Sequence, residues 1–146
     1  MCTNSRHVQA SSEEVKIPCN TNNIGYRWRC ITCKEQNIVK VYEGETGRSA
    51  RTRGSEHLKE LEKKKEKSVL YKHQIGDHKN ETAKFEMEIT QKFKDALTRQ
   101  ANEAIRIGAR PEHELLNSKS EFNHPPLARI VVEGRKNNLR FGKKQQ

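Results

Sequence analysis

The chain has 146 residues, of which 32% are hydrophobic, 33% charged and only 5% aromatic. This length fits one compact domain and excludes a multidomain enzyme, and the low apolar content predicts a modest core that a bound metal would reinforce. Lysine and arginine number 29 against 19 aspartates and glutamates, which gives a formal net charge of +10. The excess favours a polyanionic partner, either nucleic acid or an anionic membrane surface, and charge alone does not separate the two.

Residues 1–16 are polar and have no apolar periodicity, so we expect a flexible leader. No stretch approaches the ~20 apolar residues of a membrane span, and the polar run after Met1 lacks the apolar centre of a signal peptide. The sequence therefore predicts a soluble, intracellular protein without a membrane partner.

The first predicted elements form a β-hairpin. Residues 26–31 and 38–42 are rich in β-branched and aromatic side chains, and the polar stretch 32–37 between them is typical of a turn. Cys30 and Cys33 would then lie at the tip of the hairpin.

Two helices are predicted after the hairpin. Ser49 can cap a helix that runs to about residue 65, with a thin apolar stripe from Leu58 and Leu61. Ser68 can cap a second, shorter helix that ends near Gly76.

A third strand and a third helix follow. In residues 84–90 apolar side chains alternate with glutamates, the period-two pattern of a strand with one buried face. Asp95 can open a helix with Leu97 and Ile105 in its apolar stripe, and Gly108 would end it.

The C-terminal part completes the expected domain. Residues 127–133 are predicted to form a further strand, and the basic stretch 135–146 a tail. We therefore expect one domain over residues 17–134. Its expected fold is a small α/β or α+β arrangement, in which helices flank a short, mixed or mainly antiparallel sheet.

Cys30 and Cys33 have the spacing with which two thiolates of a turn bind one Zn²⁺, and His73 and His78 suit the remaining two positions. The 39 residues between the pairs are far more than in a zinc finger. We therefore expect a structural zinc that links the hairpin tip to the second helix. The alternative is a pair of ordinary thiols, and Cys19 could replace one ligand.

Several polar and aromatic residues follow one another in a distinctive order. This series consists of Gly25-Tyr26, Tyr42-Glu43-Gly44, Arg53, His57, Glu103 and Asn117. In this order and spacing the chain resembles the GIY-YIG nuclease family over about residues 24–133. The resemblance is closest to the endonuclease of Penelope-like retroelements, which also carries a cysteine pair and a histidine pair in these positions.

The resemblance implies hydrolysis of a DNA phosphodiester, and the single visible active site predicts that one strand is cut at a time. It implies that Tyr26 or Tyr42 binds the nucleophilic water and acts as, or with, the general base. Arg53 would hold the scissile phosphate, and His57 would relay a proton or orient a tyrosine. Because Arg53 and His57 are four residues apart on a helix, they can address one phosphate together.

The other helix would supply the carboxylate. Glu103 would bind Mg²⁺ or Mn²⁺, which prefer oxygen ligands, and Asn117 would position Glu103 or the DNA backbone. Arg48, Arg51 and Lys119 are the expected contacts to double-stranded DNA. In a parent retroelement such a domain would be fused to a reverse transcriptase and act in the nucleus.

Three positions depart from the family pattern. The first motif reads Gly25-Tyr26-Arg27, and Glu43 stands where an aliphatic, core-facing residue is usual. Gly54 follows Arg53 within the first helix, where glycine costs about 1 kcal/mol relative to alanine.

Two alternatives compete with a nuclease. A catalytically inactive, zinc-stabilised nucleic-acid-binding module would bind DNA with steep salt dependence and without nicking. A structural or protein-interaction domain would be indifferent to nucleic acid. Taken alone, Arg53 and His57 are typical of a solvated helix face. Only the ordered series as a whole favours a nuclease.

Overall fold

The computed structural model describes residues 17–118. In this range three strands, β1 (Ile24–Cys30), β2 (Val41–Thr46) and β3 (Phe85–Lys92), form an antiparallel sheet in the order β2-β1-β3. Four helices accompany it: α1 (Ile31–Lys34), α2 (Ala50–Glu62), α3 (Val69–His78) and α4 (Ala96–Ala109). The predicted α+β fold with a short antiparallel sheet is confirmed. The leader 1–16, the strand predicted at 127–133 and the tail 135–146 lie outside the described residues.

The predicted N-caps are all present. The side chains of Ser49, Ser68 and Asp95 accept hydrogen bonds from the backbone N–H groups three residues further on. The predicted helix ends are less accurate. Helix α3 continues two residues past Gly76 to His78, and α4 continues past Gly108 to Ala109. Helix α4 ends where Arg110 is extended, as the residue before a proline tends to be.

The hairpin differs from its prediction at the turn. Residues 31–34 form the short helix α1, and the second strand starts at Val41 rather than at residue 38. Trp28 pairs with Tyr42 and Tyr26 with Gly44 across the two strands.

One face of the sheet carries the apolar core. Because side chains alternate along a strand, the even-numbered residues of β1 from Ile24 to Cys30 share this face. Tyr26 and Trp28 pack there with Met87 and Ile89, under Ala50 and Leu70 from α2 and α3. A Cβ on Gly54 would lie 2.8 Å from the sulfur of buried Met87, so this glycine permits α2 to approach the sheet closely.

The opposite face of the sheet is charged, and α4 packs on it. The apolar stripe predicted for α4 is therefore wrong: Leu97 is 58% and Ile105 68% exposed, whereas Arg99 is 8% exposed. Arg99 pairs with Glu45 of β2. The helix turns its basic side inward because the strands present carboxylates to it.

No helix among residues 17–118 is long and apolar enough to cross a membrane. The longest of them, α4, has 14 residues. A membrane-spanning helix needs about 20 apolar residues.

We expect Gly44→Ala to destabilise the fold. The Tyr26 ring lies over Gly44, and a Cβ there would be 2.4 Å from its Cζ and 2.6 Å from its hydroxyl oxygen. Since Tyr26 is buried, overpacking should lower the free energy of unfolding by about 1 to 3 kcal/mol, measured by urea denaturation. Gly108→Ala, which meets no atom within 4 Å, is the control and should raise it by up to about 1 kcal/mol. Equal effects of the two substitutions would contradict this packing.

Candidate active site and metal centre

Strand β1 and helix α2 bring three of the predicted catalytic residues into direct contact. The Tyr26 oxygen lies 2.9 Å from His57 Nε2 and 3.3 Å from Arg53 Nε. The Arg53 Nε–H can only donate, so the Tyr26 oxygen accepts this hydrogen bond. The Tyr26 O–H can donate to His57 Nε2 when the imidazole carries its proton on Nδ1.

Tyr42 is the second tyrosine of this cluster. Its ring centroid is 6.3 Å from that of Tyr26 and 5.6 Å from that of His57. Tyr26 is buried and Tyr42 only partly so. Tyr26 thus forms the direct contacts to Arg53 and His57, and Tyr42 is its more accessible neighbour.

Burial determines the protonation of both hydrogen-bonded partners. It raises the pKa of Tyr26 above its usual range, and the nearby Tyr42 adds to this effect. Burial also lowers the pKa of His57 to about 4, and the Arg53 guanidinium contributes in the same direction. At neutral pH the two form an uncharged pair beside a charged arginine.

Glu103 of α4, which packs on the other face of the sheet, acts on this pair through its charge. Its carboxylate makes a small contribution to the raised pKa of Tyr26, after burial and Tyr42. The predicted role of Glu103 as a metal ligand beside Tyr26 and Arg53 stays a prediction.

Asn117 holds the end of the described chain on the edge of the sheet. Its side-chain oxygen accepts from the Glu43 backbone N–H, and its amide group donates to the Glu43 carbonyl, both at 2.8 Å. Leu115 adds a parallel bridge to Val41. These contacts make Asn117 an anchor of the segment that follows α4, next to Tyr42.

Two of the three residues predicted to contact nucleic acid can be placed. Arg48 is exposed just before α2, Arg51 is exposed in its first turn, and Lys119 lies outside the described residues. The sequence prediction missed Glu56, to which both terminal nitrogens of Arg48 donate. The sequence feature that could have identified Glu56 is its position between Arg53 and His57 on one helix.

The unusual Glu43 is buried without being an unpaired charge. It is 1% exposed on the charged face of the sheet. Arg27 Nε donates to it at 2.6 Å, and Arg110 lies 3.6 Å away. Both arginines compensate this buried charge, which faces α4 rather than the apolar core.

The four predicted zinc ligands converge at the other end of β1. Their sulfur and nitrogen atoms lie within 4.8 Å of one another, and closer contacts are 3.2 to 3.4 Å. A tetrahedral zinc needs ligand atoms about 3.3 to 3.8 Å apart. The cluster of Cys30, Cys33, His73 and His78 could therefore hold a metal ion such as zinc. Cys19 does not belong to it.

Burial and the neighbouring side chains favour binding of a cation by this cluster. Burial raises the pKa of the Cys33 thiol to about 12, and Cys30 adds to this, so thiolates at neutral pH require a positive charge between them. Burial lowers the pKa of His73, which keeps its ring neutral. Its Nδ1 lies 2.8 Å from Asp77 Oδ2, which leaves Nε2 directed at the cluster. Asp77 was not predicted from the sequence.

Comparison with known proteins does not assign the chain to a family. No family model matches it, and no curated protein or solved structure matches it either. Its function is therefore inferred from the geometry of its own residues.

Proposed function

We propose that this protein is a divalent-metal-dependent DNA endonuclease of the GIY-YIG type, similar to those of Penelope-like retroelements. One observation carries the proposal: Tyr26, Arg53 and His57 share a hydrogen-bonded network that Tyr42 contacts and on which the charge of Glu103 acts. These residues come from two strands and two helices. Ordinary packing does not require this combination, whereas phosphodiester hydrolysis uses every member of it.

The network supports a proton relay. A water molecule adds to phosphorus and loses a proton to the Tyr26 oxygen, while the Tyr26 proton passes to His57 Nε2. The new P–O bond replaces one ester P–O bond, and the departing oxygen takes a proton from solvent. Since the pKa of His57 is about 4, the ring is free to accept at neutral pH and releases the proton readily afterwards.

Arg53 supports phosphate binding, and Glu103 supports metal binding. Mg²⁺ and Mn²⁺ are commonly held by one or two carboxylates together with substrate phosphate and water, and Glu103 supplies one such carboxylate. When bound, the ion would neutralise charge on the phosphate oxygens. The Arg53 guanidinium donates to the same phosphate group and stabilises the charge that develops on it.

The remaining expectations belong to the same proposal. The net charge of +10 supports double-stranded DNA as the substrate. We further propose that the Cys30, Cys33, His73 and His78 cluster holds a structural Zn²⁺. In a parent element the domain would act in the nucleus beside a reverse transcriptase.

We expect metal-dependent nicking of supercoiled plasmid with Mg²⁺ or Mn²⁺. Arg53→Ala should lower the nicking rate by about 100- to 1000-fold, because it removes a donor to the developing charge. Glu103→Ala should lower it similarly and raise the metal concentration required. Lys65→Ala, exposed beyond the end of α2, is the matched control and should nick like the wild type.

The same assay separates the alternatives. Equal nicking by all four proteins would indicate a contaminating nuclease. Absence of nicking with salt-dependent DNA binding would instead support the inactive nucleic-acid-binding module. Absence of both activities would leave a structural or protein-interaction domain.

We expect His57 to make the fold sensitive to acid. Its pKa is about 4 when folded and about 6.5 when unfolded, so the unfolded chain takes up the proton first. The free energy of unfolding should fall by up to about 3 kcal/mol as pH drops from about 6.5 to about 4. His57→Gln should lack this part of the pH dependence in urea denaturation. An NMR titration of the His57 ring with a midpoint near 6.5 would refute the expectation.

We expect about one zinc per chain by metal analysis. Cys30→Ser should lose the zinc, and Asp77→Asn should keep it with about 10- to 100-fold lower affinity in chelator competition, because His73 loses its orienting partner. His113→Asn, which alters an exposed histidine outside the cluster, is the control. Unchanged zinc content in Cys30→Ser would exclude Cys30 as a ligand.

A further inference from the structure

The Arg53 guanidinium is held from two sides before any substrate binds. Its Nε donates to the Tyr26 oxygen at 3.3 Å, and its Nη1 donates to Glu56 Oε2 at 2.9 Å. Glu56 is held in turn by both terminal nitrogens of Arg48. Of the donor nitrogens of Arg53, Nη2 is left without a hydrogen-bond partner among residues 17–118.

We propose that Glu56 is a positioning residue, which fixes the Arg53 guanidinium so that Nη2 is available to a DNA phosphate. On this view Arg48 acts through Glu56 and is not an independent phosphate ligand. The inference rests on the proposed nuclease function and assigns a role to a residue outside its predicted catalytic set.

The contacts explain why a carboxylate is useful at this place. A free arginine side chain samples many rotamers, and ordering it during the reaction lowers the rate. Glu56 and Tyr26 together restrain both the direction and the plane of the Arg53 guanidinium group. Arg48 and Arg53 hold the pKa of Glu56 below its usual value, so it remains an anion at neutral pH.

The charge of Glu56 distinguishes this role from a simple contribution to DNA binding. Arg48, Arg53 and Glu56 together carry one positive charge, which matches the single negative charge of a phosphodiester. A carboxylate near DNA repels the phosphates, so its removal should tighten binding if charge alone mattered. Loss of positioning should instead slow the chemical step. The two effects therefore appear in different measurements and with opposite signs.

The test compares Glu56→Gln, Arg48→Gln and the double variant with the wild-type chain. We expect kcat for plasmid nicking to fall about 10- to 100-fold in each single variant, because Arg53 loses its fixed geometry. The DNA Kd of Glu56→Gln, measured with Ca²⁺ in place of Mg²⁺, should stay unchanged or tighten up to about 5-fold, whereas Arg48→Gln, which removes a positive charge, should bind DNA more weakly. The double variant should be no slower than the single variants, since both remove the same restraint.

Glu60→Gln provides the matched control. Glu60 lies one turn further along α2 and pairs with Lys67 at 3.9 Å, away from Arg53. This variant should keep the wild-type kcat and Kd. A Glu56→Gln variant that nicks at the wild-type rate, or that only binds DNA more weakly, would overturn the positioning role.

A second readout does not depend on activity. The Arg53 Nη1 protons, which Glu56 binds, should exchange slowly with solvent in the NMR spectrum of the wild-type chain and rapidly in Glu56→Gln. If this change occurs but the wild-type chain never nicks DNA, the proposed nuclease function fails and the positioning of Arg53 by Glu56 stands. If the Arg53 signal stays protected in Glu56→Gln, the positioning role fails whatever the nicking assay gives.

Discussion

Pairing of β1 with a neighbour on each side is the constraint on which both candidate sites depend. Tyr26 of the hydrogen-bonded network and Cys30 of the metal cluster are four residues apart on this one strand, so they share a face. A slip of one residue would turn both side chains to the charged face under α4. The register of β1 therefore determines the orientation of both sites, and a change of register would move both of them off this face.

The two faces of the sheet stabilise the domain in different ways. The apolar core is small, and much of the opposite face is held by ion pairs such as Arg27 with Glu43 and Arg99 with Glu45. Buried ion pairs contribute little net stability because desolvation opposes their attraction. Structural zinc contributes about 10 to 16 kcal/mol of apparent free energy in small peptides. A metal that joins β1 to α3 would thus compensate for a thin core.

Local signals in the sequence were sufficient for the three described strands apart from the start of β2, for the starts of α2, α3 and α4, and for the cysteine and histidine cluster. The caps at Ser49 and Ser68, for example, depend on a backbone N–H three residues away. The face that α4 buries was predicted wrongly from Leu97 and Ile105, because it depends on Arg99 meeting a carboxylate 54 residues earlier in the chain. Asp77 and Glu56 were overlooked for a different reason. Each lies on a helix beside a predicted site residue, but only the folded chain shows which partner it contacts.

Burial shifts the pKa values of Tyr26 and His57 in opposite directions, because it disfavours an anion in one ring and a cation in the other. A phenol whose pKa is raised cannot act as a phenolate at neutral pH. In the proposed reaction it can still take a proton from water if it gives its own proton to His57 at the same time. The neutral pair therefore favours a relay over a preformed base, and in the proposed reaction Arg53 would be the charged member of the network that meets the phosphate. The orientation of that one guanidinium then matters more than the charge of the surrounding surface.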